Sequence, residues 1–269
     1  MKYWKNTATL DKLVPELLNT VDGSEAEIAV IGGKSIDLSK LPKLKGIFKC
    51  GVGTDNVPFA EAKKRGIEIC MPSEQTKCYI FEETANFAVY LTFKMLFNEI
   101  GQVDGWVKQS RGFLGNKKVL VIGQGNIGAH VCRKLEPSVE VLTFDVLQNS
   151  MDELEPLMGQ ADVVTLHVPL IPETTHFIDA EKLSWMKDGA ALVNTARGPI
   201  VDEDALYEEI ASGRLRAAFD VFWIEPYEGK LEAFHPERFL MSPHVSSNCE
   251  NFLTGLASDF RDFVAKLKG

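Results

Sequence analysis

Val119-Leu-Val-Ile-Gly-Gln-Gly-Asn-Ile-Gly-Ala-His130 decides the fold. Its first residues, apolar and mostly β-branched, predict a buried parallel strand. G-x-G-x-x-G follows, carried by Gly123, Gly125 and Gly128. Gly123 suits the tight turn out of the strand. Gly125 lets a pyrophosphate approach the backbone, and Gly128 lets the next helix lie against the sheet. That helix would bury Ile127, Val131 and Leu135. Its first N–H groups and positive dipole end would face phosphates. The glycine pattern alone also fits an ordinary turn of an α/β domain. Its context narrows the choice. A second apolar run, Val139-Glu-Val-Leu-Thr-Phe-Asp145, ends in an acid at about the 20-residue spacing at which a ribose 2′-hydroxyl is held. An Asp at a strand end is common by itself; strand, glycines, helix, strand and acid together are not. Val146, Leu147 and Gln148 offer no cation for a 2′-phosphate, which favours NAD over NADP.

The bulk numbers bound the rest. The chain has 269 residues, 45% hydrophobic and 25% charged, the composition of a globular protein with one large or two ordinary domains. The net charge of −9 and the absence of a long Lys/Arg run argue against nucleic acid as a partner. The five cysteines, Cys50, Cys70, Cys78, Cys132 and Cys249, form no C-x-x-C and read as reduced thiols. No metal site is expected, because no Cys/His group has ligand spacing. Met1 to Asn6 lacks the apolar core of a signal peptide. The longest apolar helix candidate, Tyr79 to Phe97, contains Glu82, Glu83 and Lys94 and is too polar to span a bilayer. A cytoplasmic protein is expected.

Taken in order, the first third alternates helix and strand signals. A helix is predicted over Leu10 to Val21, with Leu13, Leu17 and Leu18 on one face and Pro15 near its first turn. Strands are predicted at Glu27–Ile31, Leu44–Phe48 and Ile67–Cys70, with a short helix at Pro58–Arg65. This is a βα-repeat domain of its own. Tyr79 to Phe97 is apolar on more than one face, as in a helix buried on several sides or meeting a partner chain. After Asp145 the alternation continues. Helices are predicted near Met151–Met158 and over Ala180–Met186 and Glu203–Ala211, with strands at Asp162–Leu166, Ala190–Val193 and Leu215–Val221. Asn251 to Leu267 reads as a final amphipathic helix.

Further stretches carry a family resemblance. Leu166-His-Val-Pro-Leu-Ile-Pro-Glu-Thr-Thr175, Met186-Lys-Asp-Gly-Ala-Ala-Leu-Val-Asn-Thr-Ala-Arg-Gly-Pro-Ile-Val-Asp202, Ala217-Ala-Phe-Asp-Val-Phe-Trp-Ile-Glu-Pro226 and Ser242-Pro-His-Val-Ser246 occur in that order. Together they resemble the D-isomer-specific 2-hydroxyacid dehydrogenases, from about Leu41 to the C-terminus. Gly51-Val-Gly-Thr-Asp-Asn56 is similar to that family's substrate-domain loop. The resemblance implies an α/β fold of two domains. A Rossmann-type NAD-binding domain, residues 93–248, would be inserted into a flavodoxin-like substrate domain made of residues 1–92 and 249–269. It implies a catalytic set of Arg197, Glu225 and His244, and NAD as cofactor. Cofactor contacts would come from Asn126, Ile127, Val168, Pro169, Thr174, Thr195, Ala196, Asp220, His244 and Ser246, beside the glycines and Asp145. Asp220 would hold the nicotinamide carboxamide. The backbone N–H groups of Val52 and Gly53 would meet the substrate carboxylate, together with Arg197.

Elementary chemistry agrees with that set. Oxidising a 2-hydroxy acid needs a base for the hydroxyl proton, a cation for the carboxylate and a hydride acceptor. His is the usual base near neutral pH, a carboxylate behind it fixes its tautomer, and Arg offers a planar fork. Singly, each residue also has a bland reading: His244 as a core histidine, Glu225-Pro226 as a turn, Arg197-Gly198 as a strand end. His130, His167, His176 and His235 read as structural or surface residues, and Lys77 as solvated surface or a phosphate contact. The chain departs from the family at Ala85-Asn86, where an Ala-Glu pair is usual, and in a short N-terminal region that implies a trimmed substrate domain. A homodimer is expected from the long helix. The expected activity is hydride transfer between NAD(H) and C2 of a small D-2-hydroxy or 2-keto acid. Formate oxidation is the second enzyme reading, set back because that branch has Gln at the position of Glu225. A non-catalytic NAD-sensing corepressor is the reading from another class; it suits a longer chain with disordered tails.

Overall fold

A computed structural model describes residues 1–97 and 100–269 of the chain. β1 (Tyr3–Lys5), β2 (Ile28–Ile31), β3 (Gly46–Lys49), α1 (Phe59–Arg65), β4 (Glu68–Cys70) and α2 (Glu74–Leu96) come first. A short antiparallel hairpin follows, β5 (Gly101–Gln102) with β6 (Val107–Lys108). Then come β7 (Lys118–Ile122), α3 (Asn126–Leu135), β8 (Glu140–Phe144), α4 (Leu154–Gln160), β9 (Val163–Leu166) and α5 (Ala180–Trp185). β10 (Ala191–Asn194), α6 (Glu203–Ala211), β11 (Arg216–Phe219), β12 (Phe239–Met241) and α7 (Glu250–Lys268) complete the chain. Contacts divide it into two units, Met1–Ile80 with Ser247–Gly269, and Phe81–Ser246. The larger unit is thus an insertion in the smaller. The units part within α2 at Ile80, while the boundary expected at residues 92/93 falls later in the same helix.

The larger unit is built on a six-stranded parallel sheet in the order β12-β11-β10-β9-β7-β8. The chain leaves β8, passes β7 and resumes at β9, so the order reverses between β7 and β9. Ligands of open α/β sheets bind at the carboxyl ends of strands at such a switch point. The strands are buried throughout β7, β9 and β10 apart from Lys118, which is why they read as continuous apolar runs. One face packs Leu120, Val164, Leu192 and Phe219 against Leu154, Leu183 and Leu206 of the helices. The other packs Val119, Val121 and Val193 against Val131 and Leu135 of α3 and Ala85, Ala88, Leu91 and Met95 of α2. The helices start on side-chain caps where the sequence supplies them. Asp202 accepts from the Ala205 N–H at 2.9 Å before α6, and Asp179 from the Lys182 N–H at 3.0 Å before α5.

The smaller unit has a four-stranded parallel sheet in the order β1-β2-β3-β4. The strands run in chain order, without the reversed edge strand of the full flavodoxin order. Its core joins Ile28, Val30, Phe48 and Ile80 to Phe252, Leu256, Phe260 and Phe263 of α7. The expected helix over Leu10 to Val21 is absent. The segment is a series of turns with one 3-10 turn, Pro15–Leu18, and Leu18 is exposed while Leu10, Val14 and Leu17 are buried. Proline at position 15 removes an amide donor and its ring obstructs the preceding turn, so only a short tight turn forms around it. β12 is a strand the sequence reading did not place; at three residues it carries no periodic signal. β1 and the β5–β6 hairpin, at two or three residues a strand, carry no periodic signal either and are not among the expected elements. The elements that the sequence predicts otherwise lie within a few residues of their expected places, and α2 begins earlier, at Glu74.

Candidate active site

At the end of β7 the backbone turns through Gly123, whose φ is +95°. A Cβ there would lie 2.6 Å from the His167 carbonyl oxygen at the end of β9. A Cβ on Gly128 would lie 1.8 Å from the Gly123 oxygen, so only glycine lets α3 start where it does. A Cβ on Gly125 would meet nothing within 4 Å. Its place is the open side of the turn, beside the first turn of α3. Gly125 is the N-cap of that helix and offers no side-chain cap. With no side-chain cap, the amides of Asn126, Ile127 and Gly128 are the donors that such a helix start presents to an external acceptor.

Asp145 follows β8, and its carboxylate faces this turn. Oδ2 accepts from the Gln124 N–H at 2.7 Å and Oδ1 from the Leu147 N–H at 2.9 Å. Two oxygens offer about four acceptor positions, so capacity remains for a hydroxyl. Val146, Leu147 and Gln148 beyond it are exposed. Val168 and Pro169 sit in the loop after β9. Thr174 closes that loop by donating to the Pro169 oxygen at 2.6 Å.

The loop after β10 is organised by Asn194, which is fully buried. Its Oδ1 accepts from the Ala196 N–H at 2.9 Å and its Nδ2 donates to the Arg197 oxygen at 2.8 Å, an Asx turn closed by its own side chain. Thr195, Ala196 and Arg197 are presented on it. Thr195 Oγ1 is buried with no protein partner, the single such side-chain atom among the described residues. Arg197 donates from Nη1 to the Ala196 oxygen at 2.7 Å. A Cβ on Gly198 would lie 2.1 Å from the Phe222 carbonyl carbon, so this turn packs directly on the chain that leads to Glu225.

His244 stands at φ +52° in the loop after β12. Its Nδ1 lies 2.9 Å from Glu225 Oε2 and 3.0 Å from Oε1. Burial pushes the Glu225 carboxyl up, but the His244 ring, the Phe222 N–H and the charge of Arg197 outweigh it. The group is held below the ordinary carboxylate range and is ionised near neutrality. Asp220, wholly buried after β11, accepts at Oδ1 from Ser242 Oγ at 2.6 Å and the Val245 N–H at 3.0 Å. Its Oδ2 accepts from the Ser246 N–H at 2.8 Å. The carboxylate ties down both sides of His244. The sequence reading did not see this bracing of the loop, nor the Asn194 turn; the Asn two residues before Ala196 is a signal that could have shown the latter.

The other histidines are engaged elsewhere. His130 Nδ1 pairs with Glu82 at 2.6 Å, His176 with Asp202 at 3.6 Å, and His235 Nδ1 accepts from the Met241 N–H at 3.1 Å. His167 contacts Thr165 Oγ1 at 3.0 Å, and burial of its ring pushes it down to about 3. It is neutral near neutrality and cannot serve as the acid. Val52 and Gly53 belong to the smaller unit, in the loop after β3. Among the described residues no group of His, Cys, Asp and Glu side chains could hold a metal ion, and no helix is long and apolar enough to cross a membrane.

The larger unit therefore offers a place for a dinucleotide: an uncapped helix start, an open glycine turn, an acid at the second strand and an orphaned buried hydroxyl. Comparison with known proteins points the same way. Residues 96–246 match the family described as "D-isomer specific 2-hydroxyacid dehydrogenase, NAD binding domain", and residues 16–77 match its "catalytic domain". The chain is similar to a glycerate dehydrogenase of Methylorubrum extorquens, 33% identical over 98% of this chain and 87% of the relative. It is also similar to a hydroxypyruvate reductase of Thermotoga maritima, 30% identical over 89% of this chain and 81% of the relative. Among solved structures it resembles a D-lactate dehydrogenase from Aquifex aeolicus complexed with NAD and lactic acid. That likeness has a TM-score of 0.75 and 26% identity, and covers 95% of this chain and 86% of the other.

Proposed function

This chain belongs to the D-isomer specific 2-hydroxyacid dehydrogenase family, and on that premise we propose that His244, Glu225 and Arg197 run its reaction. The activity is an NAD-dependent oxidoreduction at C2 of a small 2-hydroxy or 2-keto acid. Substrates like those naming its relatives, hydroxypyruvate and glycerate, fit a site with one acid–base group and one guanidinium. The observation that carries the reading is the His244 ring seated on the ionised Glu225.

Nδ1 is committed to Glu225, so Nε2 is the nitrogen that works on substrate. In reduction, protonated His244 gives a proton from Nε2 to the carbonyl oxygen at C2. In oxidation, neutral His244 takes the hydroxyl proton there. Glu225 stabilises the imidazolium and fixes the tautomer. Arg197 clamps the carboxylate and polarises the carbonyl with its fork, and the N–H groups of Val52 and Gly53 share that carboxylate. A bound nicotinamide cofactor would supply the hydride chemistry at C2 in either direction. The amides of Asn126 and Ile127 and the Gly125 turn would hold its pyrophosphate, and Asp145 the adenosine ribose. Thr195 and the loop of Val168, Pro169 and Thr174 complete its contacts. Asp220 and Ser246 shape the nicotinamide end, with Asp220 acting through the His244 loop. A screen of 2-keto acids with NADH, followed at the nicotinamide absorbance, tests the reading. Turnover of none of them would overturn it.

The protein works as a homodimer in the cytoplasm. Support for the dimer comes from Ile100, Val103, Trp106, Val107 and Phe113, each more than half exposed on and around the β5–β6 hairpin. A larger exposed apolar patch marks an interaction site, and a second copy of the chain would cover this one. Sedimentation showing a monomer at micromolar concentration would contradict it.

A further inference from the structure

In the smaller unit Lys49 ends β3 with 2% exposure. Its ammonium donates to the Gly32 oxygen at 2.6 Å and to Asn56 Oδ1 at 2.7 Å. Asn56, also buried, donates from Nδ2 to the Gly32 oxygen at 2.8 Å and to the Lys34 oxygen at 2.7 Å. Lys49 and Asn56 flank the loop Cys50–Asp55, which carries Val52 and Gly53. Side chains thus tie the two ends of this loop to each other, and both to the segment leaving β2.

The body of the loop has little backbone support of its own. Cys50 donates to the Ile31 oxygen at 2.8 Å. Among the described residues, the backbone N–H groups of Gly51, Val52 and Gly53 donate to no protein acceptor. Gly51 stands at φ +138°, outside the range of other residues. Three successive amides without a protein acceptor are available to an anion, and the loop that carries them is fixed at its base. Burying an ammonium is costly unless its protons are satisfied. An apolar residue would end β3 more cheaply, as at Ile31 on β2. Charge-assisted bonds are shorter and stronger than neutral ones, and these tie down a loop that lacks a ladder.

We propose that Lys49 and Asn56 are positioning residues, a clamp at the base of the loop that holds the Gly51–Gly53 amides in the orientation that receives the substrate carboxylate. The inference rests on the assignment of Val52 and Gly53 to substrate made above. It adds that substrate affinity, not cofactor affinity, depends on this buried lysine.

Two variants test it, Lys49→Met, which keeps length without charge, and Asn56→Ala, which removes its partner. Each is measured by steady-state kinetics and by amide hydrogen exchange. The KM for the 2-keto acid should rise about tenfold or more, equivalent to about 1.4 kcal/mol, while the KM for NADH stays within about twofold. Exchange at the bonded amides of the loop's two ends, Cys50 on the Ile31 oxygen and Val57 on the Thr54 oxygen, should quicken about tenfold, with the interior of β2 and β3 still protected. Unchanged exchange overturns the clamp. Faster exchange with an unchanged substrate KM, or an equal rise in both KM values, overturns its role in substrate binding. A wild type that reduces no 2-keto acid overturns the dehydrogenase reading instead, and exchange alone then decides whether the clamp exists. If Lys49→Met does not fold, the same readouts on Asn56→Ala decide, since the lysine there keeps its bond to Gly32.

Discussion

Asp220 Oδ2 accepts a hydrogen bond from the Ser246 N–H at 2.8 Å, and through it the carboxylate after β11 anchors the loop that presents His244. Oδ1 is also taken, by Ser242 and the Val245 N–H. Asp220→Asn cannot keep all three bonds, because one oxygen becomes a donor and must face another donor. Leaving such a group unmatched in the interior costs about 1–3 kcal/mol. We expect a lower melting temperature and a lower kcat, because His244 is no longer held in its left-handed conformation. Thermal unfolding and turnover, measured together, check it. A variant with wild-type kcat would show that the loop holds its shape without the carboxylate.

Thr195 Oγ1 makes the opposite prediction. It is buried without a partner, which weakens the free protein. Thr195→Val has the same shape and no hydroxyl. The free protein should melt at the same or a higher temperature, and NADH should bind several-fold more weakly. Calorimetry on the free and NADH-loaded protein separates the two effects. Unchanged NADH affinity would remove Thr195 from the cofactor site.

These two residues mark what could and could not be read from the chain. β7, β9 and β10 are buried parallel strands, so their apolar runs announce them. The glycine spacing announces the turn between β7 and α3. Leu10 to Val21 misleads because its leucines recur as in a helix, while Pro15 forbids one. β12 is too short to show a period. Glu225 and His244 sit in separate loops, and only a family resemblance could pair them. The bonds of Asp220 and the orphaned hydroxyl of Thr195 depend on where three loops cross, which no local pattern encodes.

Asp145 governs the choice of dinucleotide. Its carboxylate is fixed by the Gln124 and Leu147 amides, and a 2′-phosphate beside it would be repelled at a cost of about 1–3 kcal/mol. NADH should therefore be preferred over NADPH by about 5–150-fold in kcat/KM. Asp145→Asn should narrow the ratio. Equal kcat/KM for the two cofactors in the wild type would sink the assignment.

Arg197 is held on the turn built by Asn194, one residue beyond Ala196. Arg197→Lys keeps the charge and loses the planar fork. It should lower kcat/KM for 2-keto acids by about tenfold or more, with NADH affinity nearly intact, since the lost bidentate bond is worth about 1.5–3 kcal/mol. A collapse of NADH binding with intact 2-keto acid kinetics would assign the residue to the cofactor instead.

The pair of Glu225 and His244 predicts a pH signature. Glu225 is held below the ordinary carboxylate range, so it is an anion throughout assays near neutral pH. Its support for His244 is lost only as pH falls through its own depressed titration. An anion at Nδ1 favours the imidazolium. Glu225→Gln keeps an acceptor and removes the charge, so the protonated ring is lost at lower pH. The alkaline limb of kcat/KM for reduction should move to lower pH, because the acid form disappears sooner. The acid limb for oxidation should also move to lower pH, because the neutral base survives further into acid. His244→Ala should abolish both limbs with most of the activity. Profiles recorded in both directions for the wild type and Glu225→Gln decide the matter. If the limbs of the two proteins coincide, the carboxylate at 2.9 Å orients His244 without tuning it.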